Sequence, residues 1–244
     1  MAEGKAELGD STPHVKLIPQ EGGKPIPVEK EGALHTLIRR ELAQIGFEEV
    51  DFIQKHPAFK VKKKNYGRLT ESHSILNQKH IHQAVADWMC EINLLVIVVD
   101  LDEGGNDARK KDLAKAVEIA SLNIVDENEI ELPNRVVDGL AIKTFDTWLI
   151  ADAINLNETL KISVDVPDDL ESLPAGDSPQ SSKNLLNRFI QQSDLFPTEN
   201  ENRKELKCRW LLAKTIDLGT IRQACPKGYE TFSQKLLNVA SGIS

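Results

Sequence analysis

The stretch Leu94-Leu95-Val96-Ile97-Val98-Val99-Asp100-Leu101-Asp102-Glu103-Gly104-Gly105 decides the fold of this chain. Its first six residues are apolar and mostly β-branched, a pattern typical of a strand that is buried on both faces of a parallel sheet. The strand leads directly into Asp100 and Asp102, and the glycine pair ends it. Because ligands of open α/β sheets bind beyond the carboxyl ends of the strands, we expect both carboxylates to lie at a binding site.

The spacing of the two aspartates points to a cation. Asp100 and Asp102 lie two residues apart, and alternate residues of an extended strand face the same way. Two carboxylates held that close repel each other unless a positive charge lies between them. A divalent cation with oxygen ligands is the usual source of that charge in proteins. The motif therefore predicts a metal site.

The composition is that of a soluble protein, with 244 residues of which 40% are hydrophobic and 28% charged. This length suffices for one large or two small domains with a sizeable core. The net charge of −8 argues against general charge-driven binding to nucleic acid, although it allows a local basic patch. The scattered cysteines Cys90, Cys208 and Cys225 favour a reducing compartment over a disulfide framework or a zinc site. Since the sequence shows no signal peptide and no long apolar run, we expect a cytoplasmic protein without membrane contact.

Strands and helices alternate in the pattern of apolar residues up to about residue 160. Strands are predicted at residues 15–18, 49–53, 94–99 and 136–142, and helices at residues 33–45, 75–90, 108–120 and 145–155. This β-α order predicts an α/β fold in which helices cover a mainly parallel sheet and the crossovers are right-handed.

The chain divides into three parts by composition. Residues 1–13 are polar and are predicted to be disordered, and residues 14–160 form the predicted α/β domain. Residues 161–244 begin with a stretch rich in proline, serine and aspartate, which predicts an irregular connection. Helices are predicted after it, at residues 182–192, 204–214 and 229–239. We expect this last part to be a C-terminal helical extension packed on the sheet.

Acidic residues follow three of the four predicted strands. Glu21 follows the first strand, Asp100 and Asp102 follow the third, and Asp146 opens the helix after the fourth. Their carboxylate oxygens are the hard ligands that Mg²⁺ or Mn²⁺ prefers. A metal held there can activate water and stabilise charge that develops on a phosphoryl group. The four residues therefore form a candidate site for phosphoryl chemistry.

Two of these assignments have alternatives. Glu29 and Glu31 lie in the same connection as Glu21, and Glu31 also precedes a glycine. Glu21 is favoured because it directly follows a predicted strand. Asp146 can instead serve as a negative charge that the helix dipole favours at a helix N-terminus.

A basic segment follows the second predicted strand, and it interleaves cations with Phe59 and Tyr66. Its candidate nucleic-acid-binding residues are Lys55, Lys60, Lys62, Lys63, Lys64 and Arg68. Lysine and arginine neutralise phosphates, and aromatic rings stack on bases. The segment therefore predicts a nucleic-acid-binding surface at the same edge as the carboxylates. The alternative is an ordinary solvated loop.

A strand followed by Glu21-Gly22, with a later strand followed by Asp100-Leu101-Asp102, resembles the Toprim fold of topoisomerases, bacterial primases and nucleases of the overcoming-lysogenization-defect class. More closely, the chain resembles an uncharacterised Toprim-like family of small bacterial proteins, often encoded beside an AAA or ABC-type ATPase in defence loci. The further matching segments are Leu37-Ile38-Arg39-Arg40, Asp146-Thr147-Trp148-Leu149-Ile150-Ala151-Asp152 and Cys225-Pro226-Lys227-Gly228-Tyr229-Glu230-Thr231-Phe232.

The resemblance implies a Toprim-like (Rossmann-like) fold and a Mg²⁺- or Mn²⁺-dependent nuclease that hydrolyses the phosphodiester bonds of DNA or RNA. It implies that Glu21, Asp100 and Asp102 are the catalytic and metal-binding residues. Asp146 stands where the family has a glutamate, and it is the candidate for a further metal ligand. The resemblance also implies an ATPase partner and a role in anti-phage defence.

Two other hypotheses remain. A catalytically inactive subunit would use the same surface to bind an ATPase partner or nucleic acid, and it would show a stable complex without turnover. A receiver-like phosphoacceptor domain is disfavoured because its paired acidic residues would follow the first strand. The sequence leaves open the choice of DNA or RNA, the number of metal ions, the oligomeric state and the activating trigger.

Overall fold

A computed structural model describes residues 31–52, 93–101, 106–122 and 135–243 of the chain. Within these ranges it contains two strands and eight α-helices, together with one 3₁₀ turn and one π-helical turn. The predicted N-terminal tail, the strand at 15–18 and the helix at 75–90 lie outside the described residues. No helix in the described ranges is long and apolar enough to cross a membrane.

The described sheet consists of two parallel strands, β1 (Leu95–Leu101) and β2 (Val136–Ile142). They pair in register from Leu95 opposite Val136 to Leu101 opposite Ile142. Helix α2 (Asn106–Leu122) lies between the strands in the chain and packs against both. The fold is therefore of the α/β class, and the carboxyl ends of both strands meet at one edge of the sheet.

The prediction of a strand at residues 49–53 is wrong for the described residues 49–52, which form no strand. Val50 and Phe52 instead pack, partly buried, against the hydrophobic core. The Phe52 ring lies 4.7 Å from the His35 ring and 5.3 Å from the Arg39 guanidinium, measured to the ring centroid. The apolar pattern that predicts a strand here thus arises from side chains that pack against a helix.

Helix α1 (Ala33–Ala43) was predicted at residues 33–45. Its buried residues Leu34, Leu37, Ile38 and Leu42 recur at the spacing of one helix face, which explains why it forms against the core. The chain leaves the helix through Gly46, whose φ of 92° lies in the left-handed region that glycine adopts without strain.

The helix predicted at residues 145–155 is in fact two helices, α3 (Asp146–Leu149) and α4 (Ala153–Leu160). Asp152 separates them, because its backbone is extended and its side chain accepts a hydrogen bond from the Asn155 N–H at 3.0 Å. An aspartate in this position is an N-cap, which starts a new helix. Its second oxygen accepts a hydrogen bond of 3.2 Å from the Asp217 N–H. This bond connects the interruption between α3 and α4 to a residue much later in the chain.

Helices dominate the remainder of the chain. After a 3₁₀ turn at Leu170–Ser172 come α5 (Ser182–Gln192), α6 (Glu201–Thr215), α7 (Leu218–Ala224), a π-helical turn (Pro226–Glu230) and α8 (Thr231–Ser241). The three helices predicted in this region are confirmed, and α5 has the predicted bounds. Helix α7 was missed because its seven residues are too few to show a helical period.

Helix α8 packs against β2 and buries Phe232 there. The Phe232 ring stacks on Trp148 at 5.5 Å between ring centroids, and the Tyr229 ring meets Trp148 edge-on at 5.1 Å. All three rings are fully buried in one hydrophobic core. Residues of the strands, of α1 and of the C-terminal helices contribute to this core. The sheet and the C-terminal helices are therefore packed together.

Candidate functional site

Asp100 lies at the carboxyl end of β1, opposite Ala141 of β2. Its carboxylate Oδ1 accepts a hydrogen bond of 2.8 Å from the backbone N–H of Phe145, just beyond the end of β2. The Asp100 side chain is partly buried. The contact therefore holds the carboxylate at the edge where the two strands end, which is where the sequence predicted a site.

The chain turns sharply between the end of β2 and α3. Lys143 has a φ of 74°, in the left-handed region that costs a residue other than glycine about 1–2 kcal/mol. Backbone strain of this kind persists only where surrounding contacts hold it, and it concentrates at functional sites. We refer to residues 144–147, which follow Lys143, as the edge turn.

Three buried hydroxyl groups attach the edge turn to the start of α5. Thr144 Oγ1 lies 3.0 Å from Ser182 Oγ, and Thr147 Oγ1 lies 2.8 Å from the same oxygen. Thr147 and Ser182 are fully buried, and Thr144 nearly so. Because buried hydroxyl groups are costly without partners, these contacts keep the edge turn against α5.

Asp146 lies in the edge turn and forms a buried ion pair with Arg209 of α6. Its Oδ1 accepts Arg209 Nε at 2.9 Å and its Oδ2 accepts Nη2 at 3.3 Å, and the two side chains are only 6% and 4% exposed. Arg209 also donates to Asn187 Oδ1 at 2.6 Å and to Glu205 Oε2 at 3.4 Å. Both carboxylate oxygens of Asp146 thus have a cationic partner, and its role as a metal ligand stays a prediction.

Sequence reasoning missed Arg209. The signal that could have found it is an arginine within the stretch Cys208-Arg209-Trp210-Leu211-Leu212-Ala213, which is otherwise apolar. A charged residue on the buried face of a helix requires a partner of opposite charge. The sequence does not say which carboxylate is that partner, because Asp146 lies 63 residues away.

The other predicted site residues lie outside the described ranges. They are Glu21, Glu29 and Asp102 among the acidic residues, and Lys55, Lys60, Lys62, Lys63, Lys64 and Arg68 in the basic segment. In the described parts of the chain, no group of three or more histidine, cysteine, aspartate or glutamate side chains could hold a metal ion. Of the predicted acidic set, the structure therefore describes Asp100 and Asp146. These two residues lie near the same turn.

Glu31, one of the alternative glutamates, is described and has a partner. Its side chain is 3% exposed, and Oε1 accepts Arg39 Nη2 at 2.5 Å. Arg39 also lies over the ring of Phe52. This pair attaches the residues before α1 to the helix itself, which gives Glu31 a structural role at that position.

A second polar cluster lies between α1, α7 and the π-helical turn, and no pattern in the sequence predicts it. The fully buried Glu41 carboxylate pairs with Arg222, which also donates to Ser233 Oγ at 3.1 Å and to Gln44 Oε1 at 2.9 Å. Burial, with the negative charge of Glu41, raises the pKa of Tyr229 well above its usual value of 10. The ion pair of Glu41 with Arg222 joins α1 to α7 inside the core.

The segment at residues 225–232 also has a structural role. The Glu171 carboxylate accepts the backbone N–H groups of Gly228 at 2.7 Å and Lys227 at 3.1 Å. A Cβ at Gly228 would lie 3.1 Å from the Leu140 carbonyl oxygen and 3.2 Å from Trp148 Nε1. Glycine thus permits the π-helical turn to approach β2 closely.

Comparison of the chain with protein-family models, with curated proteins and with solved structures finds no match. The assignment of a function therefore depends on the residues of the chain and on their geometry.

Proposed function

We propose that this protein is a metal-dependent nuclease of Toprim type that hydrolyses the phosphodiester bonds of DNA or RNA. The observation that carries the proposal is the position of Asp100, whose carboxylate is held by the Phe145 N–H at the carboxyl edge of two parallel strands. Ligands of open α/β sheets bind at this edge. The complete Toprim arrangement, in which further strands extend the sheet, is part of the proposal.

The donor chemistry of Asp100 fits Mg²⁺ or Mn²⁺, because its carboxylate is a hard oxygen ligand held in place by a backbone amide. Asp102 and Glu21 would complete the set of protein ligands, and Glu21 is the candidate general base. When bound, the ion lowers the pKa of a coordinated water and stabilises charge on the phosphoryl group. The lysines of residues 55–64 and Arg68 would hold the nucleic-acid backbone by neutralising its phosphates.

Asp100→Ala tests the proposal. Purified wild-type protein is incubated with Mg²⁺ or Mn²⁺ and with plasmid, linear DNA, single-stranded DNA or RNA, with and without the product of the neighbouring gene. We expect cleavage by the wild type and its loss in Asp100→Ala. Asp138→Asn is the matched control, since Asp138 lies on β2 in an exposed ion pair of 2.6 Å with Lys235. Undiminished cleavage by Asp100→Ala would contradict the proposal.

The proposed partner is an AAA or ABC-type ATPase and the proposed role is anti-phage defence, both from the family resemblance. A second candidate function is a catalytically inactive binding subunit of such a complex. It is favoured by the ion pair of Asp146, because both oxygens of this predicted ligand are engaged by Arg209. A stable complex with the ATPase, together with no cleavage under any metal, would support the second candidate.

A further inference from the structure

The Asp146–Arg209 ion pair is built into the turn that holds Asp100. Phe145, whose N–H binds the Asp100 carboxylate, directly precedes Asp146 in the chain. Arg209 donates hydrogen bonds to both oxygens of Asp146. It also donates to Asn187 of α5 and to Glu205 of α6, which hold its side chain in place. A bidentate pair restricts orientation more strongly than a single hydrogen bond. Arg209 therefore fixes the backbone next to the amide that Asp100 uses.

We propose that Arg209 is a positioning residue that orients the Asp100 carboxylate for metal binding, acting through Asp146 and the edge turn. This inference rests on the proposed function, in which Asp100 is a metal ligand. Partners that orient a metal-binding side chain contribute to metal affinity, and their loss typically costs about 10- to 100-fold in that affinity. Asp146 in this arrangement is a link between Arg209 and Asp100.

The competing role for Asp146 is that of a direct metal ligand. Its carboxylate would then have to exchange Arg209 for the metal, although the side chain is only 6% exposed and both oxygens are paired. The two roles predict opposite effects of removing Arg209. A positioning role predicts weaker metal binding. A ligand role predicts equal or tighter binding, because a competing cation has been removed.

The first measurement is the dissociation constant for Mn²⁺ alone, determined by isothermal titration calorimetry on the full chain. We expect Arg209→Met to weaken Mn²⁺ binding about 10- to 100-fold relative to the wild type. Arg203→Met is the matched control, because Arg203 lies on the same helix in an exposed ion pair of 3.5 Å with Glu199. Unchanged or tighter Mn²⁺ binding by Arg209→Met would overturn the positioning role.

The second measurement needs no metal. Amide hydrogen exchange is followed at Phe145, which donates to Asp100, and at Leu95, which donates to the Arg135 carbonyl at the other end of β1. We expect Arg209→Met to raise the exchange rate at Phe145 by a factor about ten times larger than the factor at Leu95. The reason is that the edge turn loosens locally. Equal acceleration at both amides would show a merely structural role, and no change at Phe145 would also refute positioning.

Arg209→Lys covers the case in which Arg209→Met does not fold. Lysine keeps the positive charge but cannot form the bidentate pair, so we expect intermediate values in both measurements. Wild-type values in Arg209→Lys would refute the need for the bidentate geometry. If the wild type binds no Mn²⁺, the proposed function and the metal-binding part of this inference both fail. Exchange at Phe145 still decides whether Arg209 positions Asp100.

Discussion

Phe232 of α8 covers Gly139 of β2 so closely that a Cβ at residue 139 would lie 2.8 Å from Phe232 Cδ2. The same Cβ would lie 3.0 Å from Val98 Cγ2 of the neighbouring strand. Both neighbours are buried, and Phe232 is held between Gly139 and the Trp148 ring. The absence of a side chain at Gly139 is therefore what allows an aromatic ring to pack on the sheet.

We expect Gly139→Ala to lower the free energy of unfolding by about 1–3 kcal/mol, because the added methyl group overpacks this contact. Urea denaturation followed by circular dichroism measures the effect. Gly242→Ala is the control, since the nearest atom to a Cβ there is the Val239 carbonyl oxygen at 3.5 Å, an ordinary contact. The explanation fails if the two variants lose the same stability.

We expect Arg209→Met to lower the free energy of unfolding by about 3–5 kcal/mol, because it leaves the Asp146 carboxylate buried without a partner. The double variant Asp146→Leu/Arg209→Met replaces the pair by apolar side chains and should recover most of that loss. Chemical denaturation of the wild type and the two variants measures the difference. A double variant as unstable as Arg209→Met would mean that the buried charge is not the cause.

The pH dependence of stability follows from His35. Burial, with the positive charge of Arg39, lowers the pKa of His35 from 6.5 to about 4, and its neutral Nδ1 accepts the Gly32 N–H at 3.0 Å. The unfolded chain therefore binds a proton at a higher pH than the folded protein does. The stabilisation is present above pH 6.5 and is lost as the pH falls from 6.5 towards 4.

The shift corresponds to a loss of about 3 kcal/mol in the free energy of unfolding over this range. Denaturation curves between pH 7 and pH 4 measure it. His35→Asn retains an acceptor for the Gly32 N–H but cannot be protonated in this range, so its stability should fall less. If both proteins lose stability in parallel, His35 is not the group that titrates.

The thiols of Cys208 and Cys225 are expected to resist alkylation in the folded protein. Both are fully buried, and burial raises the pKa of Cys225 to about 12 and that of Cys208 above its usual value. Only the thiolate reacts, and solvent does not reach either sulfur. Peptide mapping after treatment with iodoacetamide at pH 8 should show both modified only in concentrated urea. Modification under native conditions would contradict the described burial.

Some elements could be predicted because local signals suffice for them. The bounds of β2 follow from the apolar residues at its two ends, and those of α5 from the amphipathic pattern that follows Ser181, which caps the helix. The strand before Asp100 was predicted for the same reason, and this placed the carboxylate at the sheet edge. In each case the residues next to one another in the chain determine the element.

Other features depend on contacts between distant residues and could not be predicted. The break between α3 and α4 depends on Asp152, whose two oxygens bind backbone N–H groups from α4 and from before α7. Lys143 adopts a left-handed backbone conformation although it is not a glycine, so the sequence contains no local signal for this conformation. For the site, the partner of Asp100 is a backbone N–H and the partner of Asp146 is on α6, and neither follows from spacing.

The contact of Phe232 with Gly139 has a consequence for synthesis. A ribosome makes β2 before it makes α8, so Gly139 of the growing chain still lacks the Phe232 ring that covers it in the folded protein. Apolar surface exposed in this way is a target for aggregation and for chaperones. Slower translation through the helices between them would lengthen that exposure, and the nascent protein cannot complete its core until residue 232 has left the exit tunnel.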